Sequence, residues 1–159
     1  MNRVKKILYA DDDLDDRGLF CDALMEIDPS IVCFYAQNGI EVFTILDDIS
    51  RPKPNLIFLD INMPAMNGWE CLVALKNNDR YKDIPVLIYS TSSHQRDADV
   101  AIDLGALCFF TKPNSFEELK SILQTIVANV NGNILHAVSH YNAIKFKKVF
   151  ACTDDDSAH

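Results

Sequence analysis

"LIFLDINMPAMNG", residues 56–68, is the stretch on which the fold turns. Four apolar residues, Leu56 to Leu59, run without alternation straight into Asp60. An unbroken apolar run of that length fits a strand buried on both faces, as in a parallel sheet covered by helices. Met63-Pro64 and Gly68 then break the pattern before the next helix can begin. A carboxylate therefore stands at the end of a strand with no solvated face.

The rest of the chain repeats the theme. Strand-length apolar runs recur at "KKILYA" (5–10), "IVCFYA" (31–36), "PVLIYS" (85–90) and "LCFFT" (107–111). Helical spacing lies between them: Leu14, Phe20, Leu24 and Ile27; Ile40, Phe43, Leu46 and Ile49; Trp69, Leu72 and Val73. The stretch 94–104 is polar, with Ala98, Ala101 and Leu104 inward, and Gly105 suits a left-handed helix end. The strongest helix is 116–130, with Asn114 or Ser115 as its cap and Glu117 and Glu118 at the positive end of its dipole. The order is β-α five times. Right-handed crossovers turn that order into a doubly wound α/β sheet with helices on both faces.

Composition narrows the function. The chain has 159 residues, enough for one domain with a proper core. Asp and Glu number 23 against 15 Lys and Arg, a formal charge of −8. That balance argues against a nucleic-acid surface, which needs clustered cations. No apolar run is long enough to cross a membrane, and the N-terminus reads as no signal peptide. The five cysteines (Cys21, Cys33, Cys71, Cys108 and Cys152) are widely spaced without a CxxC pair. They read as reduced packing residues of a cytoplasmic protein.

In doubly wound sheets ligands bind outside the carboxyl ends of the strands. The first strand delivers Asp11 and Asp12 there, the third Asp60, the fourth Ser90 and Thr91, and the fifth Lys112-Pro113. Two like charges about 4 Å apart repel by roughly 1 kcal/mol in water and roughly 4 kcal/mol at an effective dielectric of about 20. Three carboxylates on one rim thus need a cation or a proton. The donors are all oxygen, which points to a hard ion, most simply Mg²⁺. Beside a lysine and a hydroxyl, such a site is equipped to hold a phosphoryl group, with Asp60 as nucleophile. Each residue alone has an ordinary explanation as a turn, cap or surface group. Their shared edge favours the functional one for Asp60, Asp12, Lys112, Asp11 and Ser90. Asp13, Asp15 and Asp16 read as an ordinary acidic helix start.

These motifs together resemble the receiver domain of two-component response regulators. The likeness rests on "ILYADDD" (7–13), "LIFLDINMPAMNG" (56–68), "IPVLIYSTSS" (84–93) and "GALCFFTKP" (105–113), in order and spacing. It is most similar to stand-alone receivers, including those that accompany bacterial phytochromes. The resemblance implies a flavodoxin-like three-layer sandwich with five parallel strands in the order 2-1-3-4-5. It implies a receiver domain over residues 1–130, with a tail over 131–159, docked or disordered, and no output domain. Asp60 would be the phospho-acceptor. Asp11, Asp12, Asp60 and the backbone carbonyl of Asn62 would surround Mg²⁺, Asp11 mostly through water. Lys112 and Ser90 would meet the phosphoryl oxygens, and Ser90 with Phe109 would form the switch. The Lys112-Pro113 bond would be cis. Two positions depart from the common pattern: Thr91 is bulkier than usual and narrows access to the site, and Phe109 lacks the hydroxyl of the usual tyrosine.

The implied partners are a sensor histidine kinase or a histidine phosphotransfer protein. The face built by residues 94–104, 107–111 and 116–130 would meet targets or form a homodimer. The chain would be no enzyme beyond its own phosphorylation and dephosphorylation. A rival is a Mg²⁺-dependent phosphohydrolase with an aspartyl nucleophile. It needs a second acid two residues on, where this chain has Asn62. A degenerate receiver serving as a constitutive binding module is the other alternative, against which the intact site argues. In the tail, "ILHAVSHYNAIKFKKVF" (134–150) leaves helix or strand undecided. "SHYNA" faintly resembles a kinase histidine box, and His136 with His140 has metal-pair spacing without a third ligand. A docked or flexible tail accounts for both.

Overall fold

The computed structural model describes residues 4–145 and 150–152. Five β-α units run in chain order. They are β1 (Lys6–Ala10), α1 (Leu14–Ile27), β2 (Val32–Ala36), α2 (Gly39–Asp47), β3 (Leu56–Leu59), α3 (Gly68–Lys76), β4 (Val86–Ser90), α4 (Gln95–Asp103), β5 (Cys108–Thr111) and α5 (Phe116–Ala128). Two further elements follow, α6 (Ile134–Lys145) and β6 (Phe150–Cys152). The first five strands are parallel, in the order β2-β1-β3-β4-β5. The sheet then departs from the five-stranded expectation, because β6 pairs antiparallel with the outer edge of β5.

Strand alternation divides the interior into two layers. Leu8, Ala10, Ile57, Leu59, Ile88 and Phe109 pack toward α2, α3 and α4. Ile7, Tyr9, Leu56, Phe58, Leu87 and Phe110 pack toward α1, α5 and α6. Successive side chains of a strand point to opposite faces, so an unbroken apolar run is what two covered faces require. β2 lies at the free edge and is only partly buried, as an edge strand is.

The helices start where short polar side chains can hold their first N–H groups. Asp13 accepts from the amides of Asp15 and Asp16, and Asn38 from that of Glu41. Asn67 and Glu70 form a capping box on α3, and Ser115 caps α5. Gly105 adopts a positive φ of 104° just beyond α4, as expected. The α2 expectation needs correction. The buried side of α2 is Gly39, Val42 and Leu46, while Ile40 faces out. Ile49 lies past the end of the helix and is 99% exposed. Leu14 is likewise exposed at the start of α1.

The undecided stretch after residue 133 is helical over Ile134–Lys145. Ile134 and Val138, one turn apart, are buried against the α1–α5 layer. Residues 146–149 of that stretch lie outside the described residues, as does the side chain of His140.

Candidate functional site

Asp11, Asp60 and Lys112 sit one step past the strand ends, and backbone bonds hold them there. The Asp11 amide donates to the carbonyl of Ala36, extending the β1–β2 ladder, at 2.9 Å. The Asp60 amide donates to Ala10 at 3.0 Å, and the Lys112 amide to Ser90 at 2.7 Å. Three ladders therefore end on the same rim. The β3–α3 loop is closed by Gly68, whose amide donates to Ile61 at 2.8 Å. A Cβ on Gly68 would stand 2.1 Å from the carbonyl oxygen of Asp60, so only glycine lets α3 begin against the acidic strand end. Ala65 in the same loop takes a positive φ of 64°.

Lys112 is the hub. Its ammonium donates to Asp11 at 2.6 Å and to Asp16 at 2.7 Å, and reaches Asp60 at 3.4 Å. It also lies 5.5 Å from the centre of the Tyr89 ring. Burial pushes this ammonium down, but the surrounding carboxylates outweigh it and raise it above its ordinary value. Asp60 moves the other way for a carboxylate. Burial pushes it up, Lys112 pulls it down, Asp11 pushes it up again and the Ile61 amide favours its anion, leaving it raised to about 6. That amide donates to Asp60 Oδ1 at 2.8 Å.

Asp11 is buried and fully engaged: Tyr9 donates to its Oδ2 at 2.5 Å and the Asp13 amide to its Oδ1 at 2.9 Å. Asp12 is exposed. Carboxylate oxygens of Asp11, Asp12 and Asp60 lie within 4.8 Å of one another. All-oxygen donors at that spacing, with Asp12 open to water, fit a hard divalent cation that keeps some of its waters. Among the described residues, these three form the only His, Cys, Asp and Glu group of that kind.

Ser90 is buried, and its hydroxyl accepts from the Ser92 amide at 3.2 Å. Thr91 is exposed at the rim, as is Asn62. Phe109 already lies wholly inside the α4-side layer. With no hydroxyl to hydrogen-bond, a phenylalanine loses nothing by resting there. The Lys112-Pro113 bond is trans, against the cis expectation: no described peptide bond is cis. The trans isomer is the lower in energy by about 0.5–1 kcal/mol, and Lys112 reaches its carboxylates from it.

Two participants were not expected. Asp16 read as part of an ordinary helix start, but it is a partner of Lys112. Tyr9 read as strand filling, but its hydroxyl holds Asp11 from below, and its ring stacks on Phe20 with centroids 4.1 Å apart. The signal for Tyr9 was available, since residues two apart on a strand share a face. Asp13, by contrast, is the ordinary cap expected of it.

A family model described as the response regulator receiver domain matches residues 7–124. Response regulator Rcp1 of Synechocystis is 30% identical over 131 residues, covering 79% of this chain and 88% of that protein. A protein-glutamate methylesterase/protein-glutamine glutaminase of Methanococcoides burtonii is 33% identical over 147 residues, but the chain spans only 40% of its length. Among solved structures, the phosphorylated cyanobacterial phytochrome response regulator RcpA matches with a TM-score of 0.70 at 29% identity, covering 77% of this chain and 90% of that one. The Mn²⁺-bound form of Rcp1 matches at 0.68 and 30% identity, covering 78% and 92%.

Proposed function

The chain belongs to the response regulator receiver family, and on that premise we propose that Asp60 accepts a phosphoryl group from a phosphohistidine on a sensor kinase or a histidine phosphotransfer protein. The observation that carries the assignment is the placement of Asp60: a carboxylate raised to about 6, with Lys112 at 3.4 Å and two further carboxylates close by. The ionised Asp60 carboxylate attacks phosphorus, the P–N bond to the histidine breaks, and an acyl phosphate remains on Asp60. Lys112 turns from Asp60 toward the new phosphoryl oxygens while Asp11 and Asp16 keep its ammonium in place. Asp11, Asp12, Asp60 and the carbonyl of Asn62 would hold Mg²⁺, which supplies positive charge against the phosphoryl oxygens. Tyr9 and Lys112 already occupy Asp11, which suits it to contact through water.

The signal leaves by the α4 side. Ser90 lies at the end of β4, and its hydroxyl can bond a phosphoryl oxygen, giving up the Ser92 amide it now accepts from. Ser92 in turn donates to Asp97 in the first turn of α4 at 2.5 Å. The bond network thus runs Ser90–Ser92–Asp97, and α4 is the element that responds, with Ser90 and the Phe109 ring packed in the α4-side layer as the switch pair. The outcome is altered binding of a protein partner in the cytoplasm rather than turnover of a substrate. Asn62 in place of a second acid speaks against a phosphohydrolase.

The test is intact-mass measurement after incubation with a small phosphodonor and Mg²⁺. One phosphoryl group should be gained by the parent chain and none by Asp60→Asn. Equal labelling of the variant would overturn the assignment.

A further inference from the structure

The sixth strand places two thiols face to face. Cys108 of β5 and Cys152 of β6 are directly opposed in the antiparallel register, and their sulfurs lie 2.6 Å apart. That is roughly half an ångström more than a disulfide bond, about 2.05 Å. Opposed residues of an antiparallel pair have Cα separations of about 4.5–5.5 Å, inside the range a disulfide spans. The two positions are 44 residues apart in sequence, so the meeting is tertiary. We propose that Cys108 and Cys152 form a reversible intramolecular disulfide that locks β6 onto the outer edge of β5.

The chemistry needs a partner disulfide, such as that of oxidised glutathione. Half-buried Cys152 is the thiol within reach, whereas Cys108 is fully buried. The Cys152 thiolate attacks the small disulfide and releases one thiol. Cys108 then loses its proton, attacks the sulfur of Cys152 and expels the second thiol. Two hydrogens and two electrons pass from the protein to the small disulfide, which becomes two thiols. Excess reduced thiol runs the steps backward. Reversible disulfides of this kind serve sensing in reducing compartments.

The location gives the bond a consequence. β6 has only three residues and three register pairs with β5, so without a covalent link it is an edge strand that opens easily. While it is docked it lies against α4 and α6 and covers the edge of β5, which would otherwise offer its backbone groups to a partner. The disulfide thus holds the α4–β5 side closed, and reduction lets β6 leave. Formation of the bond stands on geometry alone. Its bearing on signalling rests on the function proposed above.

The full chain is equilibrated in glutathione buffers from reducing to oxidising and followed by intact mass and non-reducing peptide mapping. The expected result is loss of two hydrogens, with the Cys108 and Cys152 peptides linked within one chain. Thermal unfolding should shift upward by about 5–10 °C. Cys152→Ser, on a three-residue edge strand, should fold normally and lose both effects. Asp60→Asn should form the bond as readily as the parent, which separates this proposal from the phospho-acceptor assignment. No loss of hydrogens, linkage through another cysteine, or linkage between chains would overturn the disulfide. Hydrogen exchange at residues 108–111 with beryllofluoride and Mg²⁺ tests the lock. The oxidised chain should show roughly tenfold less change than the reduced one, and equal responses would overturn the lock.

Discussion

Asp60 carries its charge in a place that resists it. Burial is the largest influence, and Lys112 offsets it only in part. The folded-state value of about 6 lies above the ordinary 3.8. Between those values the folded chain keeps a proton that the unfolded chain has released. Stability therefore falls as pH rises through that window, and the deficit persists above it. Asp60→Asn keeps the shape and removes the charge. Without divalent cations it should be more stable than the parent near neutral pH by about 1–3 kcal/mol. The advantage should shrink as pH falls below the folded-state value, and added Mg²⁺ should narrow it by stabilising only the parent. Urea denaturation across a pH series measures both. A variant less stable than the parent at neutral pH would contradict the account.

α4 is the least anchored helix around the sheet. Its buried residues are two alanines, Ala98 and Ala101, where α5 buries Leu119, Ile122, Leu123, Ile126 and Val127. It also starts without a side-chain cap, since His94 makes no such bond. Few apolar contacts and an uncapped start put a helix at the low end of local stability, where a moving element belongs. His94→Asp supplies a cap and a favourable charge at the dipole's positive end, which should stabilise α4 by about 0.5–1 kcal/mol. Amide exchange over residues 95–103 should then slow by roughly two- to fivefold, with the other helices unchanged. If exchange in α4 does not slow, the missing cap is not what loosens it.

The molecule extends its core beyond five β-α units. Ile134 and Val138 of α6 are buried with Phe110, Leu123 and Val127 in the layer that α1 and α5 cover. Residues 134–138 are thus part of the same packed body as the sheet. Ile134→Ala should cost about 2–4 kcal/mol, the range for trimming a large aliphatic side chain in a core. The urea midpoint should fall while the slope stays constant, because the same surface is exposed on unfolding. A loss below about 0.5 kcal/mol would show that α6 does not share in the cooperative core.

What the amino-acid order alone determined was the rim. Right-handed crossovers bring the carboxyl ends of parallel strands to one edge, so reading the residue after each apolar run was enough to assemble Asp11, Asp12, Asp60, Ser90 and Lys112. The cap at Ser115 and the turn at Gly105 were legible for a related reason, because local hydrogen bonds and φ preferences need only neighbours. The tertiary structure decided everything that depends on side chains meeting across the fold. Asp16 joins Lys112 over 96 positions, and Cys152 faces Cys108 over 44. Which way α2 turns, so that Val42 is buried and Ile40 is not, was settled by the sheet beneath it. Periodicity shows that a face is apolar, but not which partner covers it. That choice is made by packing among elements distant in the chain, which is also why β6 could not be read from "FAC" (150–152) alone.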